Sequence, residues 1–327
     1  MRVTALAVVL GLFAQPALAA TMQDLADCGV IGGDDDARIA ACTRVIEDKA
    51  TPDDERYMAL YRRGTAYQSK RAYTESITDY DAVIKRRPVG MVYADRGYSY
   101  QSLQQFGRSI ADFDEALRLD PDLPRALKWR GVSYVNMHNT ERALADFNAA
   151  QRLDHKDSEV YWLRGFAYEI DRDFKAALAD YTVYLDREPK AVRGYIHRAM
   201  VFIALGDAGR AIADAGKAME FEPRNGEALA VRGNAYRAEN DLRHAIDDYT
   251  AAIRFGNDRA ETYHARGVAY RMQGDRDNAI TDFKMAIRLQ PKDMTESRAE
   301  LKRLGIEAPP FDPNAAPNAK AIMEWLK

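Results

Sequence analysis

The sequence predicts an all-α solenoid of seven tandem helix-turn-helix units, closed by a C-terminal capping helix. Three observations carry this. A glycine or alanine recurs at Gly64, Gly97, Gly131, Gly165, Ala199, Gly233 and Gly267, at spacings of 33, 34, 34, 34, 34 and 34 residues. An aromatic follows each by three residues: Tyr67, Tyr100, Tyr134, Tyr168, Phe202, Tyr236 and Tyr270. A further large residue stands sixteen positions on, at Tyr80, Phe113, Phe147, Tyr181, Tyr249 and Phe283, interrupted only by Ala215. A period of this length holds two helices, and stacked neighbours bury what one pair cannot. The 327 residues would overfill one compact core, whereas a solenoid grows by adding units.

Taken in order, residues 1–20 (MRVTALAVVLGLFAQPALAA) read as a signal peptide. Arg2 is the basic end, Val3–Phe13 the apolar stretch, and Ala17-Leu18-Ala19 the small-residue cleavage site, with cutting expected after Ala19 or Ala20. Residues 21–56 read as a degenerate N-terminal helical hairpin. Its Cys28 and Cys42 are the only cysteines, they face each other across the hairpin, and the chain reads as exported, so a disulfide is expected. Asp34, Asp35 and Asp36 read as the cap of the helix starting at Ala37.

Units one to seven cover residues 57–293. Numbering each from Ala260 or its equivalent as position 1, the last unit has Tyr263 at 4, Gly267 at 8, Tyr270 at 11, Ala279 at 20, Phe283 at 24, Ala286 at 27 and Pro291 at 32. The glycine is expected to let two helices cross closely against the small face of the second. The tight turn is expected at Gly274, and Pro291 ends the second helix for want of an N–H. This pattern resembles the tetratricopeptide repeat, with its W-x2-L-G-x2-Y, A-x3-F and P signature. The resemblance implies a right-handed superhelix whose concave groove, lined by the first helix of each unit, takes a peptide or helix of a partner. It fixes fold more than partner.

Two positions lie outside that signature. Position 7 is arginine in all seven units (Arg63, Arg96, Arg130, Arg164, Arg198, Arg232, Arg266). Position 23 is aspartate in all seven (Asp79, Asp112, Asp146, Asp180, Asp214, Asp248, Asp282). Antiparallel helices bring these positions opposite each other, so a repeated ion pair is expected. Unit five departs most, with Ala199, Ala215 and Gly216. Either its neighbour approaches closer or the stack is looser there.

Residues 294–306 read as a capping helix, 307–318 as a proline-rich linker and 319–327 as a short amphipathic tail that docks on the solenoid or meets a partner. No segment after the leader approaches eighteen apolar residues, so no transmembrane segment is expected in the mature chain. A formal net charge of −3 with 30% charged residues argues against a general nucleic-acid or anionic-membrane binder. The five histidines show no ligand spacing, and there is no nucleophile elbow, phosphate loop or HExxH. No metal, cofactor or enzymatic activity is expected.

The inner face should follow positions 2, 5, 9 and 12. Trp129, Trp162, Phe166, Ile196, Met200 and Ile203 mark an apolar stretch there and are the expected partner-binding groove. The competing reading packs them against the next unit. The resemblance also prompts a comparison with the clamp by which chaperone-binding relatives hold a C-terminal carboxylate. Lys128 is present, but Val132 and Leu163 stand where its partners would be. The sequence thus points to a non-enzymatic, periplasmic or secreted interaction module. The alternative is a structural scaffold of an envelope assembly, in polymer export or outer-membrane assembly, acting through self-association.

Overall fold

The computed structural model describes residues 20–30, 32–291 and 294–308. The expected leader before Ala20, the linker beyond Ala308 and the tail at 319–327 lie outside the described residues. Among those described there are seventeen α-helices and no strand, and consecutive helices pack as antiparallel hairpins of an α-solenoid. The chain divides into two compact units, residues 1–153 and 154–327.

The first unit begins with α1 (Met22–Gly29) and α2 (Asp35–Glu47). Thr21 and Asp24 cap α1 reciprocally, and Asp34 caps α2 by accepting from the Asp36 amide at 2.9 Å. Cys28 and Cys42 are joined in a disulfide, with their Cα atoms 4.8 Å apart. Both are buried with Ala41, Val45 and Ala59. Three hairpins follow: α3 (Asp53–Ser69) with α4 (Tyr73–Arg86), α5 (Gly90–Ser102) with α6 (Phe106–Leu119), and α7 (Pro124–Asn136) with α8 (Thr140–Leu153).

The second unit holds four hairpins. They are α9 (Ser158–Ile170) with α10 (Phe174–Arg187), α11 (Val192–Ala204) with α12 (Ala208–Phe221), α13 (Gly226–Ala238) with α14 (Leu242–Arg254), and α15 (Ala260–Gln273) with α16 (Arg276–Leu289). Helix α17 (Thr295–Arg303) covers the end, burying Leu301 against Ala279, Phe283 and Ile287.

Three contacts make one hairpin. First, the position-8 glycine lies under the position-24 ring rather than against a small face, which corrects the sequence expectation. A Cβ on Gly64, Gly97, Gly131, Gly165, Gly233 or Gly267 would stand 2.7–3.1 Å from the nearest ring carbon. The glycine is therefore the seat of the aromatic. Second, the turn passes through the left-handed region at position 15 in every unit, not at Gly274 alone. Gly206 and Gly274 do this freely, whereas Arg71, Gln104, His138, Arg172 and Asn240 adopt φ of 57–62°. Third, all seven arginine–aspartate pairs form. Each guanidinium donates from Nε and Nη2 to the two carboxylate oxygens at 2.7–2.9 Å. This two-point geometry fixes helix register. The bonds to Asp146 push the Arg130 guanidinium above the ordinary arginine range, against the opposing effect of burial.

The same arginine also ties successive hairpins. Its Nη1 reaches back to position 25 of the preceding unit: Thr43 from Arg63, Asp81 from Arg96, Asp114 from Arg130, Thr182 from Arg198 and Thr250 from Arg266. For Arg232 that position is Gly216, which has no side chain to accept. A Cβ on Gly216 would meet nothing within 4 Å. The space is open at Gly216 itself, while Ala211, Ala215 and Ala218 of α12 pack directly with Ala228 and Val231 of α13, as the closer-approach reading of unit five expects.

Candidate partner-binding surfaces

In the first unit the inner face is polar and cationic. The Asp95 side chain of α5 is 2% exposed and lies between the Tyr61 hydroxyl, which donates at 2.9 Å, and Arg125 at 2.8 Å. Burial raises the Asp95 carboxyl above its usual range, while Arg125 and the Tyr61 hydroxyl pull it back. The pair holds Arg125 at the wall of the groove. Beside it, the Gln68 amide nitrogen donates to the Asp95 carbonyl at 2.9 Å and to Ser99 Oγ at 3.0 Å. One turn of the repeat later, Gln101 makes the equivalent bonds to the Trp129 carbonyl and Ser133 Oγ, both at 2.9 Å. These amides fix the first helices of three successive hairpins.

Trp129 stands edge-on to Tyr98, ring centroids 5.0 Å apart, and the Lys128 ammonium lies 5.3 Å from its ring centre. Together with Arg71 on the α3–α4 turn, these residues line a concave pocket of about 470 Å³, whose wall also includes Gln68, Ser69, Tyr73 and Arg125. The pocket combines three cationic side chains with aromatic walls. Such a surface can hold a carboxylate by charge-assisted bonds and an apolar group against the rings. Of its residues the sequence singled out Trp129, and named Lys128 only in the comparison with the carboxylate clamp. It missed Arg71, Arg125 and Tyr98. The signal available was the inner-face spacing itself, since Tyr98 stands at position 9 and Arg125 at position 2, with Asp95 a lone acid beside them.

In the second unit Trp162 and Phe166, one turn apart on α9, stack at 5.8 Å with planes 3° apart. His197 of α11 meets both rings edge-on at 5.7 and 5.6 Å. Its Nδ1 lies 3.0 Å from Glu169 Oε2, the same oxygen that accepts from the Tyr181 hydroxyl at 2.7 Å. Burial, and then the Glu169 charge, push the Tyr181 phenol above its usual range. The Arg193 guanidinium covers the Trp162 ring at 4.2 Å. Trp162 is half-buried and packs against Tyr161, Tyr184 and Leu185 on one side and Ala177, Tyr181 and Val201 on the other.

Ile196 does not line a groove. It is 3% exposed and belongs to a core with Ala199, Phe202, Ala211 and Ala215. Met200 and Ile203 are half-buried against the same core. The cause is local. Ala215 leaves no ring at position 24, so inner-face side chains fill the space. The sequence argument counted these residues as surplus to packing, which holds only where position 24 is aromatic.

No described helix is long and apolar enough to cross a membrane. Tetratricopeptide repeat family models match residues 260–293, 94–158 and 130–192, and a TPR repeat model matches 233–274. None of the curated proteins matches the chain. Among solved structures, a chain of the APC/C hetero-tetramer Cut9-Hcn1 superposes with a TM-score of 0.62 at 16% identity, covering 82% of this chain and 52% of that one. This chain thus spans about half the length of that relative. A tetratricopeptide repeat protein from Parabacteroides merdae gives 0.60 at 19% identity, covering 74% and 96%. Pseudomonas aeruginosa pilF gives 0.57 at 15%, covering 66% and 97%. The fold is a protein-interaction scaffold and is generally non-enzymatic. With the seven-fold pattern and its hairpin geometry, these matches establish that the chain is a tetratricopeptide repeat protein, built as a protein–protein interaction module.

Proposed function

We propose that this protein is exported and captures a segment of a partner protein on the inner face of its first helices. In this reading an acidic side chain of the segment seats among Arg71, Arg125 and Lys128, and an apolar neighbour lies against Trp129 and Tyr98. The observation that carries it is the pocket itself, in which three cations and two rings converge on one concavity. The buried Asp95 supports it by holding Arg125 in place before any ligand arrives, which lowers the ordering cost of binding. Export rests on the leader-like residues 1–20 and on the Cys28–Cys42 bridge, which suits an oxidising compartment. The half-buried Trp162–Phe166 shelf is a separate contact surface of the second unit.

The test is crosslinking in cells followed by mass spectrometry, comparing wild type with Lys128→Gln/Trp129→Ala. Trp129 also packs against the core of Ala94, Phe113, Ala116 and Ala126, so the variant is first checked for native helicity. Loss of the wild-type partners from an intact variant is the expected result. Capture of the same partners by that variant overturns the pocket. Sedimentation of the purified protein at micromolar concentration separates capture from the scaffold alternative: a groove binder stays monomeric, whereas an assembler self-associates.

A further inference from the structure

The first described residue, Ala20, is not a loose end. Its backbone nitrogen donates to Asp48 Oδ2 at 3.0 Å, and its methyl group packs on the core around Cys28, Cys42 and Val45. The neighbouring Thr21 is already committed as the cap of α1: its amide and its hydroxyl both bond to Asp24 Oδ2, at 2.9 and 2.8 Å. Asp48 caps the far end of α2, and its second oxygen accepts from the Ala50 amide at 2.9 Å. The carboxylate is thus fixed from one side and aimed at the nitrogen of Ala20. In the sequence, that nitrogen follows directly after Ala17-Leu18-Ala19, whose small residues stand at the third and first positions before the bond.

We infer that the chain is processed between Ala19 and Ala20, and that the new terminus is a built part of the fold. Hydrolysis by a signal peptidase of the export machinery consumes one water. The Ala19 carbonyl leaves as a carboxylate, and the Ala20 nitrogen becomes an ammonium. The bond from a neutral amide to the Asp48 carboxylate then becomes an ion pair between two charged groups. Cutting one residue later removes the Ala20 methyl group from the core and takes from Asp48 Oδ2 its donor. The same hairpin would then be closed twice, by the Cys28–Cys42 bridge and by the terminus on Asp48. This inference rests on the export reading, but its second arm below does not.

Two measurements test it. Intact-mass analysis and N-terminal sequencing of protein exported by a bacterial host should give Ala20 as the first residue. A chain that begins at Thr21, or that keeps residues 1–19, overturns the processing site. Separately, proteins with defined termini are compared by amide exchange in α1: a free Ala20 ammonium, an acetylated Ala20, and each again with Asp48→Asn. Exchange should be at least about threefold slower with the free ammonium than with the acetyl cap, and Asp48→Asn should erase the difference. Equal exchange in the two wild-type forms overturns the ion pair even if processing occurs at Ala20. A difference that survives Asp48→Asn assigns the wrong partner. Neither result bears on the Lys128–Trp129 pocket, so the two readings fail separately.

Discussion

Hairpins α7–α8 and α11–α12 follow one backbone plan and fill it in different ways. In α7–α8, Gly131 makes room for Phe147: a Cβ there would stand 2.7 Å from the ring. In α11–α12 both partners have changed together, to Ala199 and Ala215, and both are fully buried. Ile196 packs into this core beside the position-11 ring of Phe202, with Met200, Ile203 and Met219 around them. The hairpins differ at the joint as well. Ser133 of α7 is buried, accepts from Gln101 and shares a hydrogen bond with the Ser109 hydroxyl at 3.0 Å. Its counterpart in α11 is Val201, fully buried beside Ala177 and Tyr181. The repeat positions are therefore coupled sets rather than independent preferences. A set that loses its ring recruits the inner face as core, and the surface left for a partner shrinks.

The largest effect should come from removing the ring. Phe147→Ala should cost ~3–5 kcal/mol in chemical denaturation, because Phe147 is fully buried. Amide exchange should speed up in α5–α8 and their immediate neighbours, since solenoid units contact only their neighbours. Loss spread evenly over all hairpins would contradict that. Ile196→Ala comes next, at ~2–5 kcal/mol, the range for a core aliphatic residue. A cost below about 0.5 kcal/mol, typical of a surface site, would restore Ile196 to the groove.

A smaller change should have the opposite sign. Gly216→Thr supplies the position-25 hydroxyl that Arg232 lacks and removes a helix glycine from open space, so it should stabilise by about 0.5–1.5 kcal/mol. A loss of stability would show that α12 needs its slimness.

The α1–α2 hairpin lacks the ring and the repeated position-7 to position-23 staple, and should respond to pH through its own Arg44–Asp24 pair. Hydrogen bonds from Arg44 and Thr21 hold the Asp24 carboxyl down at about 2. A depressed carboxylate adds stability above its unfolded value of 3.8, and that stability is lost as pH falls toward 2. Asp24→Asn should flatten this dependence in exchange measurements on α1.

Much of this was legible in the residues. The seven arginine–aspartate pairs could be read because both residue types recur in phase and an antiparallel turn brings their positions together. The glycine and the aromatic at position 24 were visible as a pattern, yet their direct contact was not, because spacing gives a face and not a depth. The roles of Ile196, Met200 and Ile203 depended on what Ala215 no longer fills, which becomes visible only with the whole hairpin assembled. The cationic pocket was partly legible, since Tyr98, Arg125 and Lys128 stand at inner-face positions 9, 2 and 5, whereas Arg71 sits on a turn outside the helical face that was counted. Arg125 is held in the pocket by Asp95, a contact between two hairpins that no single repeat reveals.

The coupling of positions 8 and 24 can be measured in one thermodynamic cycle on α7–α8. Gly131→Ala alone should destabilise, because its methyl group collides with the Phe147 ring. In the Phe147→Ala background the same substitution should stabilise by roughly 1 kcal/mol, since the methyl group partly fills the cavity and alanine favours the helix. A change of sign between the two backgrounds is the predicted result. Additive effects, with Gly131→Ala costing the same in both, would contradict the account.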